Sequence, residues 1–293
     1  MRLQAPESPA EIWLKLECLQ PIGSFKIRGA ANAVRSATPG AIAEGLLTTS
    51  AGNMAQGVAW MAREEGVPAT IIVPEHAPQA KLDAIERLGG SVIKIPFERW
   101  WQAMEEGSFP GTAGYFVHPV MDVAVMAGNG TIGFELVEEL DEIDAVLIPW
   151  GGGGLTTGIA SALAALSPRT KIFACEPETG APLVASLAAG EAVGVEYTPS
   201  FVDGSGSKAL LPPMWARAQP LLSGAFSLTL DETAAAVRLL AGRARVVSEG
   251  AGALSLAAAL SGRAGNGRIV CIVSGGNIDA DRLAAILEGR TPA

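Results

Sequence analysis

The chain has 293 residues, of which 49% are hydrophobic and 17% are charged, and its formal net charge is −9. This length and composition suit one large or two modest domains, and they favour a compact soluble enzyme over a disordered or fibrous chain. The negative charge is not offset by any cluster of lysine and arginine, which argues against a nucleic-acid-binding surface.

Rare residue types narrow the chemistry further. Cys18, Cys175 and Cys271 lie far apart in apolar runs, as expected for reduced core thiols of a cytoplasmic protein. With two histidines in the chain, a multi-histidine metal site and a Ser-His-Asp triad are both nearly excluded. The N-terminus has no apolar signal region, and no run is long enough to span a bilayer. We therefore expect a cytoplasmic protein without a membrane partner.

Short apolar strands alternate with alanine-rich helices, which is typical of βαβ units with parallel strands. The predicted strands are residues 12–17, 46–49, 70–73, 92–95, 145–149, 171–175 and 269–273. The predicted helices include residues 26–36, 53–65, 79–88, 156–166 and 251–260. The fold class is therefore α/β, and function must be sought in the loops at the strand ends.

The first candidate loop reads GSFKIRGAAN from Gly23 and leads into the helix at residues 26–36. Lys26 stands at the helix start beside Phe25, and apolar surroundings can deprotonate a lysine and make it a nucleophilic amine. An ordinary surface lysine on a first helical turn explains this segment equally well.

The second loop reads TSAGNMAQG from Thr49 and lies between a strand and a helix. Backbone N–H groups converge at such a point, which suits a carboxylate, and Ser50 and Asn53 add side-chain donors. A serine or asparagine helix cap with a glycine turn is the competing interpretation.

The third loop contains four successive glycines after an apolar strand and before a helix: Gly151, Gly152, Gly153 and Gly154. Glycines let the backbone approach an anion closely, and the helix N-terminus attracts negative charge, so this loop predicts phosphate binding. A dinucleotide-binding loop is the rival, because the next strand leads to Glu176, but the G-x-G-x-x-G spacing is incomplete.

Two further glycine-rich turns follow. Ser274 begins SGGN after a strand and can present a neutral hydroxyl to a ring nitrogen. Glu249 begins EGAGA and places a carboxylate at a helix start. An ordinary turn explains the first equally well, and an acid placed to complement the helix dipole explains the second.

Taken together and in this order, the segments LECLQPIGSFKIRGA, SAGNMAQGVA, GGGGL, EGAGA and SGGN resemble the β-family of pyridoxal-phosphate (PLP) enzymes, also called fold type II. Within that family, the likeness is to threonine and serine dehydratases and serine racemases. The resemblance implies two doubly wound domains with mostly parallel sheets. Residues 1–44 and 122–293 would form a large PLP-binding domain, and residues 45–121 a small mobile domain. A homodimer is also implied.

The resemblance gives each motif a role toward the cofactor. Lys26 would hold PLP as a Schiff base and later move the α-proton of the substrate, and Phe25 would pack beside the ring. Asn53 would hydrogen-bond the phenolic oxygen of the cofactor. Ser274 would face the pyridine nitrogen, and Glu249 corresponds to the acidic residue of the family near the cofactor.

The remaining positions would bind the two anionic groups. The phosphate would lie on the glycine loop of residues 151–154 together with Leu155. The substrate carboxylate would lie on a loop made by Ser50, Ala51, Asn53 and Met54. Further candidates to shape the substrate pocket, or only to fill core, are His118, Met121, Trp100 and Trp101.

The implied reaction is β-elimination of a β-hydroxy amino acid, L-threonine or L-serine, to a 2-oxo acid and ammonia. A hydroxyl at Ser274 makes the ring a weaker electron sink, which suits elimination better than transamination. Ala51 stands where serine racemases carry a serine, which favours a dehydratase. Met54 replaces a usual histidine and leaves open a bulkier substrate such as an aryl-serine. A β-replacement synthase, a nicotinamide-dependent dehydrogenase and a non-catalytic PLP-binding protein stay open as alternatives.

Two departures from the family concern a cation and the chain ends. Glu176 and the Gly180 carbonyl match two ligands of the family's cation site, but Pro182 stands in place of an aspartate, so a metal cation is left open. An N-terminal helix and an RTPL segment precede the first strand in relatives and are absent here. Either the enzyme is minimal or its N-terminal cover is missing. We expect no C-terminal regulatory domain and no feedback control.

Overall fold

The computed structural model describes residues 1–5 and 7–292, and the chain divides into two compact units. The first unit comprises Met1–Ser24 and Gly130–Ala293, and the second comprises Phe25–Asn129. The small mobile domain at residues 45–121 stays a prediction.

Nine strands occur in the described part of the chain: β1 (Glu11–Leu16), β2 (Leu46–Thr49), β3 (Ala69–Pro74), β4 (Gly90–Ile95), β5 (Tyr115–Phe116), β6 (Ala145–Pro149), β7 (Lys171–Pro177), β8 (Gly224–Leu228) and β9 (Arg268–Val273). The α-helices among the same residues are α1 (Lys26–Ser36), α2 (Pro39–Ile42), α3 (Asn53–Glu65), α4 (Gln79–Arg87), α5 (Phe97–Glu106), α6 (Val123–Glu139), α7 (Gly154–Leu166), α8 (Pro182–Ala189), α9 (Pro212–Ala218), α10 (Leu230–Leu239), α11 (Gly250–Leu260) and α12 (Ala280–Leu287).

Every strand pairing is parallel. The sheet of the first unit has the order β1-β9-β6-β7-β8, and the sheet of the second unit has the order β4-β3-β2-β5. In the first sheet the chain builds outward from β6 to β8 and then returns to place β9 on the other side of β6. In the second sheet it builds from β2 to β4 and returns to place β5 beside β2. Open parallel sheets bind ligands outside the carboxyl ends of the strands at such reversals.

The centre of the first unit is a fully covered sheet. All five residues of β6 are buried, and so are the last five residues of β9. Such continuous apolar runs are typical of parallel strands that are covered on both faces. Helix α11 is buried from Gly250 to Ala259 and consists of small and aliphatic residues, so it is a core helix without a solvent face.

In the second unit, helix α1 is fixed by close backbone packing. A Cβ atom at Gly128 would lie 2.3 Å from the carbonyl oxygen of Arg28, and one at Gly29 would lie 2.7 Å from Val125. The Asn32 amide donates to the Ala124 carbonyl at 2.7 Å. These contacts seat α1 directly on the first two turns of α6 and thereby fix its first residue, Lys26.

The α/β class and the parallel sheets predicted from the sequence are confirmed. Each predicted strand and helix is present, with ends that differ by at most two residues. Strands β5 and β8 were not predicted, because β5 has two residues and β8 is a half-buried edge strand that begins at a glycine. Free, buried thiols at all three cysteines also agree with the prediction. None of the described helices has the length and apolar character that a bilayer crossing requires.

One residue of the first unit has a strained backbone. A π-helical turn, Leu240–Ala244, follows α10 and ends at Arg245, which has φ 62° and ψ 32°. Among the described residues, Arg245 is the one non-glycine residue with positive φ. Its side chain is exposed, so no buried contact offsets the strain. The left-handed conformation costs a residue with a Cβ atom about 1–2 kcal/mol.

Replacing Arg245 by glycine should therefore stabilise the fold. We expect Arg245→Gly to raise the free energy of unfolding by about 0.5–1 kcal/mol, since the relief of strain exceeds the added entropy of the unfolded chain. Urea denaturation measures the change. The matched control is Arg35→Gly in helix α1, which should lower the same free energy by about 1 kcal/mol. Equal destabilisation by both substitutions would show that Arg245 is not strained.

Candidate active site

Glycine is required by geometry in the loop that follows β6. Gly153 has φ +93°, and a Cβ atom there would lie 2.5 Å from the ring of Trp150. A Cβ atom at Gly151 would lie 2.9 Å from the carbonyl oxygen of Gly204. Gly153 is also the N-cap of α7. Because glycine has no side chain, the N-cap residue does not occupy the free amides of the first turn. The loop therefore presents backbone together with the positive end of a helix dipole.

The first turn of α7 adds an observation that fits an anion. The hydroxyl of Thr157 is buried and has no hydrogen-bond partner in the described part of the chain. Leu155, on the same turn, is buried, and the Thr156 hydroxyl donates to the Pro149 carbonyl at 3.3 Å. A tight glycine cradle with an unsatisfied buried donor close by has the character of a phosphate site. The residues present thus fit the phosphate group of PLP.

The loop that follows β9 is packed against the start of α11. Ser274 is 3% exposed and directly follows the strand. The Glu249 amide donates to the Gly275 carbonyl at 3.0 Å, and the Ser248 hydroxyl donates to the Glu249 carbonyl at 2.9 Å. A Cβ atom at Gly252 would lie 2.5 Å from the Gly275 oxygen. The SGGN and EGAGA motifs therefore form one compact structure.

A segment at Gly204 and Ser205 joins these loops, and the sequence interpretation missed it. A Cβ atom at Gly204 would lie 3.5 Å from Oε1 of Glu249. The carbonyl oxygen of Gly204 also lies against Gly151, at 2.9 Å from the position of a Cβ atom there. The Ser205 hydroxyl donates to the Trp150 carbonyl. The first unit thus brings together the glycine loop, Glu249 and the Ser274 turn. The run DGSGSK at residues 203–208 is a turn signal that could have drawn attention to this segment.

In the second unit, Lys26 is partly buried and held in place. Its Nζ donates to the carbonyl oxygen of Pro119 at 2.7 Å and lies 5.2 Å from the centroid of the Phe25 ring. Lys26 is the first residue of α1 and Phe25 is the N-cap. The sequence had left open that Lys26 is an ordinary surface lysine. The structure instead shows a partly buried amine that is hydrogen-bonded to a backbone carbonyl.

The Ser50 loop leads from β2 into α3. The N-cap of α3 is Gly52, and Asn53 is the first helical residue. The Ser50 hydroxyl accepts a hydrogen bond from the Gly52 amide at 3.2 Å. Ala51 is half-buried, whereas Met54 is 1% exposed and packs in the interior of the unit. The positive end of the α3 dipole thus lies next to the Ser50 hydroxyl, a setting that suits a carboxylate.

The turn that follows β5 contains His118 and Met121, which the sequence named only as candidates to shape the substrate pocket or to fill core. Within it, His118 Nδ1 accepts from the amides of Val120 at 3.0 Å and Met121 at 2.8 Å, and Nε2 lies 2.8 Å from the Met104 carbonyl. Burial lowers the pKa of His118, and the positive charge of Lys26 lowers it further. Strand β5 has two residues and gave no sequence signal, so the position of this turn at the β2–β5 reversal could not be predicted.

The possible cation ligands are otherwise engaged. Glu176 is fully buried, and its two oxygens accept from the amides of Leu183 at 3.1 Å and Val184 at 2.9 Å at the start of α8. Burial raises the pKa of Glu176 to about 7. The Gly180 carbonyl accepts from the Ser207 amide at 3.3 Å. Residues 1–5 and 7–292 contain no group of three side chains suited to a metal ion. The Glu176 carboxylate therefore caps α8, and a cation bound here would have to share it with two backbone amides.

Comparison with known proteins agrees with this geometry. The family model described as pyridoxal-phosphate dependent enzyme matches residues 2–275. The chain is 37% identical to L-threonine ammonia-lyase of Thermotoga maritima over 95% of this chain and 70% of the relative. It is 36% identical to the catabolic L-threonine dehydratase of Staphylococcus aureus over 98% and 85% of the two chains.

A solved structure shows the same fold. Maize serine racemase superposes with a TM-score of 0.88 at 30% identity, over 99% of this chain and 91% of the racemase. The fold type and the cofactor that the five motifs implied are both confirmed. The chain therefore belongs to the family of pyridoxal-phosphate-dependent enzymes.

Proposed function

We propose that the protein is an ammonia-lyase that converts L-threonine to 2-oxobutyrate and ammonia, with L-serine as a second substrate. The names of its relatives support this substrate class. The observation that carries the proposal is the buried hydroxyl of Ser274 at the carboxyl end of β9. Cytoplasmic location and a homodimeric assembly belong to the same proposal.

Ser274 favours elimination over transamination. When bound, PLP supplies an electron sink for the charge that develops at the α-carbon of the substrate. A serine hydroxyl does not hold a proton on a pyridine nitrogen as a carboxylate would, so the sink is weak. A weak sink favours a substrate with a β-hydroxyl group, because loss of that group removes the negative charge that develops at the α-carbon.

The other residues of the first unit would hold the cofactor. Backbone amides of Gly151 to Gly154, with Leu155, would bind its phosphate at the start of α7. The tight packing of Gly151 and Gly153 explains why side chains cannot replace these two glycines. Glu249 would lie near the cofactor as the N-cap of α11.

Lys26 would bind the cofactor covalently and act as the base of the reaction, with Phe25 beside the ring. As the base, its amine would take the α-proton and become an ammonium group. The Pro119 carbonyl at 2.7 Å is already placed to accept one N–H of that group. The proton therefore rests on Nζ in a position that the fold defines.

The start of α3 would bind the substrate carboxylate. The positive end of the helix dipole and the Ser50 hydroxyl favour an anion there, and Asn53 would contact the phenolic oxygen of the cofactor. Ala51 offers no acid or base on its side of the substrate. Without a second base, inversion of the α-carbon is disfavoured, which distinguishes this reaction from that of a racemase.

The first prediction from the proposed function concerns Lys26. We expect Lys26→Ala to lower the rate of 2-oxobutyrate release from L-threonine by at least about a thousand-fold, because the base is removed. The exposed Lys94→Ala should leave the rate unchanged. If Lys26→Ala retains wild-type activity, the proposed role is wrong. A wild-type protein that binds PLP but releases no 2-oxo acid from threonine, serine or an aryl-serine would instead be a binding protein or a synthase.

The second prediction concerns the glycine loop. In Gly153→Ala the new methyl group would meet the Trp150 ring, so the loop must shift, and we expect the dissociation constant of PLP to rise at least about tenfold. Absorbance titration of the apoprotein measures this constant. Gly190→Ala is the control, because Gly190 also has positive φ but open space around it. Equal PLP affinity in both variants would contradict phosphate binding at this loop.

The third prediction concerns cations. Because the Glu176 carboxylate already caps α8, treatment with EDTA, or exchange of potassium for tetramethylammonium, should change the rate by less than about twofold. Steady-state assays with L-threonine measure the effect. A strong activation by one cation, lost in Glu176→Gln, would show that the carboxylate exchanges its helix cap for a metal.

A further inference from the structure

We propose that His118 is a positioning residue that fixes the Lys26 amine through the Pro119 carbonyl. This inference rests on the proposed role of Lys26 as the base. Both side chains belong to the second unit. The Pro119–Val120 peptide links them, because its carbonyl accepts from Lys26 and its N–H donates to His118. His118 itself makes no contact with the reacting atoms in this proposal.

The hydrogen bonds of His118 define its tautomer. Nδ1 accepts from two backbone amides, those of Val120 and Met121, so it carries no proton. Nε2 faces the Met104 carbonyl at 2.8 Å, which can only accept, so Nε2 carries the hydrogen. Both ring nitrogens are therefore engaged within the chain. This arrangement rules out proton shuttling by the ring and assigns it a structural task.

That task is to close the turn around Pro119. The two amides held by Nδ1 belong to the residues directly after Pro119, and the proline ring limits the backbone freedom of the turn itself. On the preceding side, the buried Thr48 hydroxyl donates to the Val117 carbonyl at 2.8 Å. The Pro119 carbonyl is thus held from both sides at 2.7 Å from Nζ of Lys26.

Electrostatics keeps this arrangement intact. A proton on Nδ1 would break two hydrogen bonds and place a second positive charge near Lys26. Burial lowers the pKa of His118, the charge of Lys26 lowers it further, and the Met104 hydrogen bond and Asp122 oppose the shift. The ring stays neutral, so the turn holds its geometry at neutral pH.

A matched pair of substitutions tests the inference. In His118→Asn, Oδ1 takes the place of Nδ1 and can still accept from the turn amides, whereas the contact to Met104 is lost. In His118→Gln, the amide can still reach Met104 but the acceptor near Val120 and Met121 is lost. A merely structural histidine predicts similar damage from both. We expect a difference.

The two variants should differ in kcat and in the rate of PLP attachment. His118→Gln should lower kcat for L-threonine by about 10–100-fold with little change in KM, because a misplaced base slows proton transfer. His118→Asn should stay within about threefold of the wild type. The second readout is the rate at which PLP attaches to Lys26 of the apoprotein, followed by visible absorbance without substrate. This rate should fall about tenfold in His118→Gln alone.

Several outcomes separate the possibilities. Equal effects of both variants on attachment rate and kcat, or a larger effect in His118→Asn, would overturn the inference. If the wild type attaches PLP but does not turn over threonine, the proposed function fails while the attachment test still decides the role of His118. If His118→Gln does not fold, the test moves to Thr48. Thr48→Val must then slow the attachment of PLP to Lys26, and Thr48→Ser must keep the wild-type rate. Any other pattern overturns the inference.

Discussion

The structure depends on one topological constraint, which is that all strands of each sheet are parallel and the strand order reverses once. The carboxyl ends of parallel strands lie on one edge, and at a reversal the helices that follow two adjacent strands leave toward opposite faces. In the first unit this happens between β6 and β9, which lead into the glycine loop and the Ser274 turn. In the second unit it happens between β2 and β5, which lead into the Ser50 loop and the His118 turn.

Close backbone approach then sets the shape of the loops. Gly151 and Gly153 leave no room for a methyl group, and Gly252 brings α11 against the Ser274 turn. Glycine at these positions is required by neighbouring atoms rather than by flexibility. Helix α11 has no solvent face, so Glu249 at its start is held by the core of the unit. Burial of α11 and the close approach of these glycines together fix the shape of the loops.

Much of this arrangement was accessible from the sequence, for physical reasons. Strands β6 and β9 are continuous apolar runs and α7 is rich in alanine, so each element could be assigned from its composition, and the glycine-rich loops after these strands have few possible roles. The Lys26 helix was placed correctly because its start is marked by Pro21 and Gly23.

Other parts had no local signal. Strand β5 is two residues long, so the turn at His118 could not be assigned to the edge of a sheet. The bond from Lys26 to the Pro119 carbonyl joins residues 93 positions apart, and the bond from Ser205 to the Trp150 carbonyl joins residues 55 positions apart. Such contacts depend on the strand order, which periodicity does not determine. Likewise, the capping of α8 by Glu176 could not be foreseen from a motif that suggested a metal ligand.

The packing of Trp150 beneath Gly153 has an optical consequence. The indole is 1% exposed, and its Nε1 is buried with no hydrogen-bond partner among the described residues, so its fluorescence arises in a dry, rigid environment. The ring supports the same loop that is assigned to the phosphate. If phosphate binds this loop as proposed, binding should change the emission of Trp150, which is one of six tryptophans in the chain.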